Sequence, residues 1–271
     1  MRERPPPHDP KQAHAFKAVY ARIAQATVFI LPGARTAAPT DVWSGTVVHS
    51  PGGRLVVLAS KHMFERSDLG DRPFRVGWYD CPDTLDPFAP PRVEHPDDVD
   101  VACFLVPRDR EGPMREHAIS HAHVVPWIAE AEDDDTVLLS GYPTKMMALE
   151  IDHRARRGTV GMTNVSYALN VQDLGRDDRG RVTLEWRDMV VDPDPTIREL
   201  PPPNGMSGGA LWYLDGRENV AGAIWQPRQF LRVVGVQSAW DPTTRIAKVE
   251  GSDRWIDWFR EAIGLLDEAP W

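Results

Sequence analysis

The sequence predicts an all-β protein with one helix at each end, and two observations lead to this class. Most of the 271 residues fall into short apolar segments separated by turn-forming residues, which is the pattern of a β-sandwich or β-barrel. An apolar repeat of helical period occurs only near the two ends of the chain. With 42% hydrophobic residues, the chain is long enough to bury a sizeable core.

The N-terminal helix is predicted after a polar, proline-rich start. Residues 1–10 are expected to form a disordered N-terminus, at whose end Asp9 and Pro10 suit a helix cap and a first turn. The helix should continue to about Ala24 and dock on the rest of the protein through an apolar stripe formed by Ala15, Phe16, Val19 and Ile23.

Twelve segments between the helices have the length and composition of β-strands. They are Thr27–Leu31, Trp43–Ser50, Leu55–Ala59, Phe74–Trp78, Val99–Val106, Val137–Ser140, Thr159–Val165, Val182–Val191, Gly209–Tyr213, Asn219–Trp225, Arg232–Trp240 and Arg245–Val249. A C-terminal helix over about residues 252–265 should bury Trp255, Trp258, Phe259 and Ile263.

Ser207 carries the most informative motif of the chain. Gly205 precedes it by two positions, and Gly208 and Gly209 follow it. Glycines let the backbone turn sharply around the serine, and the N–H groups of Gly205 and Ser207 can then point at one place, as in an oxyanion hole. A glycine-rich turn between two strands is the alternative interpretation of this motif.

Two upstream segments favour catalysis. His62 follows the apolar run Val56–Ala59, from which two residues separate it. Asp100 directly precedes the apolar segment Val101–Val106. The order histidine, aspartate, serine is that of the chymotrypsin-type triad. With these three blocks the chain resembles the trypsin/chymotrypsin-like serine peptidases, in which the aspartate motif reads Asp-apolar-Ala-apolar. Asp97 and Asp98 are neighbouring alternatives, but only Asp100 directly precedes Val-Ala.

The resemblance implies a double six-stranded β-barrel of chymotrypsin type, a bacterial-type, disulfide-poor member that is not a zymogen. We expect one peptidase unit over residues 11–271, with barrels over about 26–130 and 136–250 and a helix over about 252–265. It also implies a serine endopeptidase in which His62, Asp100 and Ser207 cleave a protein or peptide substrate through an acyl-enzyme.

The substrate-binding residues implied by the resemblance are Ser238, Trp240 and Pro201. Ser238 and its neighbours would hold the substrate backbone, although Val220–Trp225 is an alternative for that strand. Pro201 stands where an acidic pocket base would bind Lys or Arg. Trp240 either narrows the pocket or is a rim aromatic, and Glu199 or Asp241 could supply charge after a loop shift.

Composition excludes several other classes. The net charge of −9 argues against nucleic-acid binding, and no motif predicts a cofactor. His117, His121 and His123 lack the further ligands of a zinc site.

Cys103 is expected to be a buried apolar residue, and nothing implies that it pairs with Cys81. Without a secretory signal or a membrane-spanning run, we expect a cytoplasmic protein.

Met206, the residue before Ser207, bears on how activity is controlled. Met206 stands where zymogen members of the family have an aspartate, so activation by N-terminal cleavage is not expected. Two alternatives stay open: the loop from Leu200 to Asn204 is already set and gives constitutive activity, or a separate regulatory protein partner sets it. The competing functions are a catalytically silent peptidase-fold binding module and an esterase that uses the same chemistry.

Overall fold

The computed structural model shows that the chain consists mainly of antiparallel β-strands. It describes residues 10–32, 42–65, 72–78, 87–127, 135–152, 157–191, 197–214 and 230–270. Residues 1–9, Cys81 and the predicted strand Asn219–Trp225 lie outside these ranges. In the described part of the chain, no helix is both long enough and apolar enough to cross a membrane.

The first sheet comes from the N-terminal half of the chain. Its strands are β1 (Thr27–Pro32), β2 (Trp43–His49), β3 (Leu55–Ala59), β4 (Phe74–Trp78), β5 (Arg92–Glu94), β6 (Ala102–Leu105) and β7 (Ile119–Ser120). Six of them follow the order β4-β1-β2-β3-β6-β5, and β7 pairs with β2. A bridge between Phe74 and Phe88, just before β5, joins the two ends of this order, so the six strands close on themselves.

The second sheet comes from the C-terminal half. The remaining strands are β8 (Thr136–Gly141), β9 (Met147–Asp152), β10 (Arg157–Met162), β11 (Val165–Asn170), β12 (Leu174–Arg176), β13 (Val182–Glu185), β14 (Met189–Val191), β15 (Ile197–Glu199), β16 (Ala210–Leu214), β17 (Leu231–Asp241) and β18 (Ile246–Gly251). The sheet has the order β11-β8-β16-β17-β18-β13-β12, and β9-β10 and β14-β15 are separate hairpins. The predicted all-β, double-barrel class is confirmed.

Alternating side chains divide the core into clusters inside and between the sheets. Val57 and Phe104 pack inside the first sheet, whereas Leu58 and Cys103, their strand neighbours, face the other way. On that second side they join residues of the C-terminal half such as Trp212. A strand whose two faces are both buried is apolar throughout, which explains why β3 and β6 lack polar alternation.

The helices cover the sheets. In the described ranges the α-helices are α1 (Pro10–Ala26), α2 (His62–Glu65), α3 (Gly112–Arg115) and α4 (Ile256–Asp267). Val19 and Ile23 of α1 are fully buried, as the predicted stripe requires. Phe259 and Ile263 of α4 are buried too. Trp258 is only half-buried, contrary to the prediction, because it lies at the edge of α4 against the ring of His95, 5.2 Å away.

Two predicted strands are divided in the structure. Thr159–Val165 is interrupted between β10 and β11, where Asn164 accepts a hydrogen bond from Ser140 Oγ at 3.0 Å. Val182–Val191 is interrupted at Trp186, whose buried indole N–H donates to a carbonyl of the loop at residue 201. At the first break the side chain of Asn164 bonds to β8, and at the second the side chain of Trp186 bonds to a loop. A side-chain hydrogen bond therefore accompanies each strand end.

Candidate active site

His62 and Asp100 meet at the ends of two paired strands. β3 and β6 are paired as far as Ala59 and Ala102, so the residues after β3 lie beside those before β6. Asp100 Oδ1 accepts the main-chain N–H of His62 at 2.7 Å, and Asp100 Oδ2 lies 2.6 Å from His62 Nδ1. Because a carboxylate only accepts, Nδ1 carries the proton and Nε2 is left with a lone pair. This is the tautomer that a general base needs.

The alternative aspartate of this segment points elsewhere. The side chain of Asp98 is 89% exposed, and its carboxylate lies 3.5 Å from Arg179. Between Asp98 and Asp100, the geometry therefore brings only Asp100 to the histidine.

Glu250 lies behind Asp100 and was not identified from the sequence. It is 2% exposed at the end of β18 and forms an ion pair with Arg254. Burial raises the pKa of Glu250, Arg254 opposes this shift, and the nearby charge of Asp100 adds to it. A carboxylate within the mostly apolar segment Ile246–Gly251 was the only sequence signal for a buried acid here.

The turn that carries Ser207 depends on two glycines. Gly205 and Gly208 have φ angles of +93° and +89°, a region that residues with a Cβ rarely adopt. A Cβ on Gly208 would lie 2.0 Å from the carbonyl oxygen of Ser44 and 3.0 Å from the nitrogen of Ser60. Both glycines are therefore required by backbone conformation and by close packing, Gly208 against the first sheet and Gly205 against Thr144 and the carbonyl of Tyr142.

Every carbonyl group from residue 203 to residue 207 accepts a hydrogen bond. The acceptors and donors are Pro203 O with Met206 N (3.0 Å), Asn204 O with Thr144 N (2.7 Å), Gly205 O with Ser44 Oγ (3.0 Å), Met206 O with Gly209 N (2.7 Å) and Ser207 O with Ser44 N (2.8 Å). These contacts fix the direction of each peptide group in the turn.

The N–H groups of Gly205 and Ser207 remain available. No hydrogen bond between described residues uses either of them. The carbonyl and N–H of a trans peptide point in opposite directions, so anchoring the carbonyls of Asn204 and Met206 turns these two N–H groups away from their anchors. They are the two groups predicted from the sequence to form an oxyanion hole.

The Ser207 turn lies beside the strand that leads to His62. The carbonyl of Ser207 accepts a hydrogen bond from the main chain of Ser44 on β2. Gly208 packs against Ser60, which lies two residues before His62. Ser207 is partly exposed. The hydrogen bonds found between described residues do not include one from Ser207 Oγ to His62 Nε2. Such contacts are commonly long before substrate binds.

Pro201 and Trp240, two of the expected substrate-binding residues, both contact Trp186. The carbonyl of Pro201 accepts the indole N–H of Trp186 at 3.1 Å. The ring of Trp240 makes an edge contact with Trp186 at a centroid distance of 6.4 Å. Trp186 was not identified from the sequence, where it lay inside an expected strand.

Ser238 and its neighbour Gln237 lie on β17, next to the Ser207 turn. Ser238 sits at a bulge and donates from Oγ to the carbonyl of Lys248 at 3.3 Å. Gln237 is fully buried and bonds through its main chain to Gly208 and Gly209. Neither polar atom of its side chain has a partner in the described structure. A buried amide at this place was not predicted.

The acidic residues considered for the pocket are at the surface. The carboxylate of Asp241 accepts the N–H groups of Thr243 and Thr244. The pKa of Asp241 is lowered first by a hydrogen bond from the Thr244 side chain and then by these two N–H groups. Glu199 is 73% exposed and lies 3.9 Å from Lys145. In the described ranges, no three His, Cys, Asp or Glu residues form a group that could hold a metal ion.

Cys103 is a free, fully buried cysteine on β6. Burial strongly raises the pKa of its thiol, which keeps it protonated and unreactive. The expectation of a buried apolar residue is confirmed.

Comparison with solved structures identifies proteases of similar fold. The chain superposes on the serine endoprotease from Yersinia pestis with a TM-score of 0.50 and 15% sequence identity, covering 92% of this chain and 66% of that one, just under two thirds of its length. Two further matches have TM-scores too low to support an argument. They are the active form of the Rv3671c protease from M. tuberculosis (0.46, 20% identity, covering 97% and 93% of the two chains) and a catalytically inactive tobacco etch virus protease complexed with substrate (0.48, 12% identity, covering 90% and 86%).

No family model and no curated protein matches the chain. At 15% identity the similarity to the Yersinia protein concerns the fold and not the activity. The chain has the trypsin/chymotrypsin-like peptidase fold.

Proposed function

We propose that the protein is a serine endopeptidase that cleaves a protein substrate through an acyl-enzyme. The observation that carries this proposal is the arrangement of the Ser207 turn beside the His62–Asp100 pair. All five carbonyls of the turn are anchored, and the N–H groups of Gly205 and Ser207 are left without a partner among the described residues. Two N–H groups without a partner among the described residues, in the turn that carries the serine, are the donors that an oxyanion hole requires.

Acylation follows from these groups. Ser207 Oγ attacks the carbonyl carbon of the scissile peptide, and His62 Nε2 takes the hydroxyl proton. The oxyanion that forms is bound by the N–H groups of Gly205 and Ser207, where one donor is typically worth about 10²–10³ in kcat. His62 then gives its proton to the leaving amine as the C–N bond breaks, while Asp100 stabilises the imidazolium.

Deacylation repeats these steps with water. His62 removes a proton from water as the hydroxide attacks the ester carbonyl, and the same two N–H groups bind the second oxyanion. Collapse of this intermediate breaks the bond to Ser207 Oγ, which regains its proton from His62. The products are a carboxylic acid and the free enzyme.

An esterase is the second candidate, because ester hydrolysis needs the same groups. A silent binding module is the third, and the absence of a Ser207–His62 hydrogen bond within the described structure is the observation that favours it. Hydrolysis of matched peptide and ester substrates separates the first two candidates, because only an endopeptidase also cleaves the amide efficiently.

The stiffness of the loop before Ser207 bears on regulation. Three consecutive prolines, residues 201–203, restrict φ before the turn, and Met206 is fully buried against Gly141 instead of exposing a charge. We propose that the Ser207 turn holds its catalytic conformation without a partner. Any partner protein would then act on the access of substrate to the site. The regulatory partner and a cytoplasmic location stay predictions.

Labelling with a fluorophosphonate tests the proposal. The probe should attach covalently to Ser207, located by mass spectrometry of the digested protein, and Ser207→Ala should abolish both labelling and peptide hydrolysis. Ser166→Ala is the matched control, because among the described residues the Ser166 hydroxyl bonds to Ser140 on β8 and to Asn164, which directly precedes β11. Peptide hydrolysis by a folded Ser207→Ala protein would refute the proposal.

A further inference from the structure

We infer that the hydroxyl group of Ser44 is a positioning group that holds the oxyanion-binding turn in its working conformation, an inference that rests on the proposed function. Ser44 lies on β2 and is fully buried. Its Oγ donates to the carbonyl of Gly205 at 3.0 Å and accepts the N–H of Tyr142 at 2.8 Å. Its main-chain N–H donates to the carbonyl of Ser207 at 2.8 Å.

Ser44 differs from the other anchors of the turn in its origin. The carbonyls of Pro203 and Met206 are held by N–H groups of the turn itself, and that of Asn204 by Thr144 of the same half of the chain. Ser44 belongs to the first sheet, which also carries His62 and Asp100. It therefore ties the turn directly to the sheet that supplies the base.

The hydroxyl matters because Gly205 has no Cβ to restrict its conformation. The direction of its N–H depends on the contacts that hold the peptide groups on either side of it. Thr144 holds the preceding carbonyl, and Ser44 Oγ holds the carbonyl of Gly205 itself. Without Ser44 Oγ, the peptide group between Gly205 and Met206 loses its anchor, and only the contact of Thr144 with the preceding carbonyl still holds Gly205. The φ and ψ angles of this glycine can then relax and move its N–H out of line with the oxyanion.

Tyr142 makes this contact specific. Its N–H supplies the hydrogen bond that orients the Ser44 hydroxyl, so that the single hydroxyl proton faces Gly205. Its phenol also donates to the carbonyl of Thr27 on β1 at 3.2 Å. Tyr142, the residue after β8, is therefore hydrogen-bonded to the first sheet through both its main chain and its side chain.

The test compares Ser44→Ala with Thr46→Val. Thr46 lies two residues further along β2 and is equally buried, but its hydroxyl has no partner in the described structure. Both substitutions remove a buried hydroxyl from one strand, and only the first removes an anchor of the turn. Both variants are compared with the unmodified chain.

The first readout is amide hydrogen exchange of residues 203–209, followed by mass spectrometry. Ser44→Ala should raise the exchange of this segment at least about tenfold relative to Thr46→Val, because local opening exposes its N–H groups. This readout needs no activity, so it decides on the anchoring role even if the protein hydrolyses nothing. Equal exchange in the two variants overturns the inference.

The second readout separates positioning from folding. After active-site titration with a labelled fluorophosphonate, kcat of Ser44→Ala should fall about 10- to 100-fold with little change in KM, as for a displaced transition-state contact. The inhibition constant of a peptide aldehyde, which adds to the serine and places an oxygen in the hole, should rise by a similar factor. Thr46→Val should stay within about twofold of the unmodified enzyme on both measures.

The outcomes distinguish the inference from the proposed function. An unmodified chain that neither labels nor hydrolyses disproves the peptidase proposal, while the exchange comparison still decides whether Ser44 anchors the turn. An active chain in which Ser44→Ala leaves kcat and aldehyde affinity unchanged disproves the inference and leaves the peptidase proposal standing.

Discussion

Replacing Asp100 with asparagine should remove activity with little effect on folding. The substitution keeps the shape of the side chain but replaces one acceptor oxygen with an NH₂ donor. In the structure both oxygens are used, one by the main-chain N–H of His62 at 2.7 Å and one by Nδ1 at 2.6 Å. The asparagine amide has one acceptor oxygen, so it can accept only one of these two hydrogen bonds.

The main-chain contact decides which way the amide turns. If the NH₂ group faced the N–H of His62, two donors would lie 2.7 Å apart, so the oxygen must take that place. The NH₂ group then faces Nδ1, which has to accept, and the ring proton moves to Nε2. That tautomer cannot take a proton from Ser207.

The expected loss is large in rate and small in stability. The wrong tautomer costs about 10⁴ in kcat in a comparable triad, which equals about 5.5 kcal/mol of transition-state stabilisation. The side chain of Asp100 is 23% exposed, so we expect a loss of only about 1 kcal/mol in the free energy of unfolding.

Peptide hydrolysis and thermal unfolding measure the two effects. Asp98→Asn is the matched control, since its side chain is 89% exposed and its only described ion pair is a 3.5 Å surface contact with Arg179. It should change neither quantity appreciably. Activity of Asp100→Asn within tenfold of the unmodified enzyme would refute the reasoning, and so would a larger loss in Asp98→Asn.

Two further predictions concern stability. Glu111→Ala leaves Arg54 buried without its carboxylate, 3.0 Å away at present, and should cost about 3–5 kcal/mol, or roughly 6–20 °C in Tm. Glu116→Ala, at a side chain that is 79% exposed, should change Tm by no more than about 2 °C, and equal shifts would contradict the first prediction. Burial and Arg232 lower the pKa of His123 below its ordinary 6.5, so below that pH the unfolded chain binds more protons and stability falls. Urea unfolding at pH 5 and pH 7.5 should show a smaller pH difference in His123→Gln, and an unchanged difference would disprove it.

Much of the fold could be predicted because its causes are local. Residues 55–59 form an uninterrupted β-branched and leucine-rich run, and the structure has a strand of those bounds. Strand ends set by distant side chains could not be predicted in this way. The segment Val182–Val191 is divided because the indole of Trp186 bonds to Pro201, fifteen residues away, and no local pattern contains that contact.

The candidate site was predictable to the extent that its chemistry constrains neighbouring residues. Gly205 and Gly208 must be glycines because their φ angles are positive, so the turn is visible in the sequence. Glu250 left only a weak signal, an acidic residue in a mostly apolar segment. Its pKa is raised by burial and, to a smaller extent, by the nearby charge of Asp100, and both are properties of the packed sheets.

The sequence by itself determined the all-β class, the terminal helices and the three candidate residues His62, Asp100 and Ser207, because strand periodicity and glycine turns are local requirements. The tertiary structure alone decided how both oxygens of Asp100 contact His62 and which groups hold the Ser207 turn. Ser44 shows why, since it lies 161 residues from Gly205 in the chain and 3.0 Å from it in space. A buried hydroxyl acquires such a role only when packing brings an otherwise unbonded carbonyl to it.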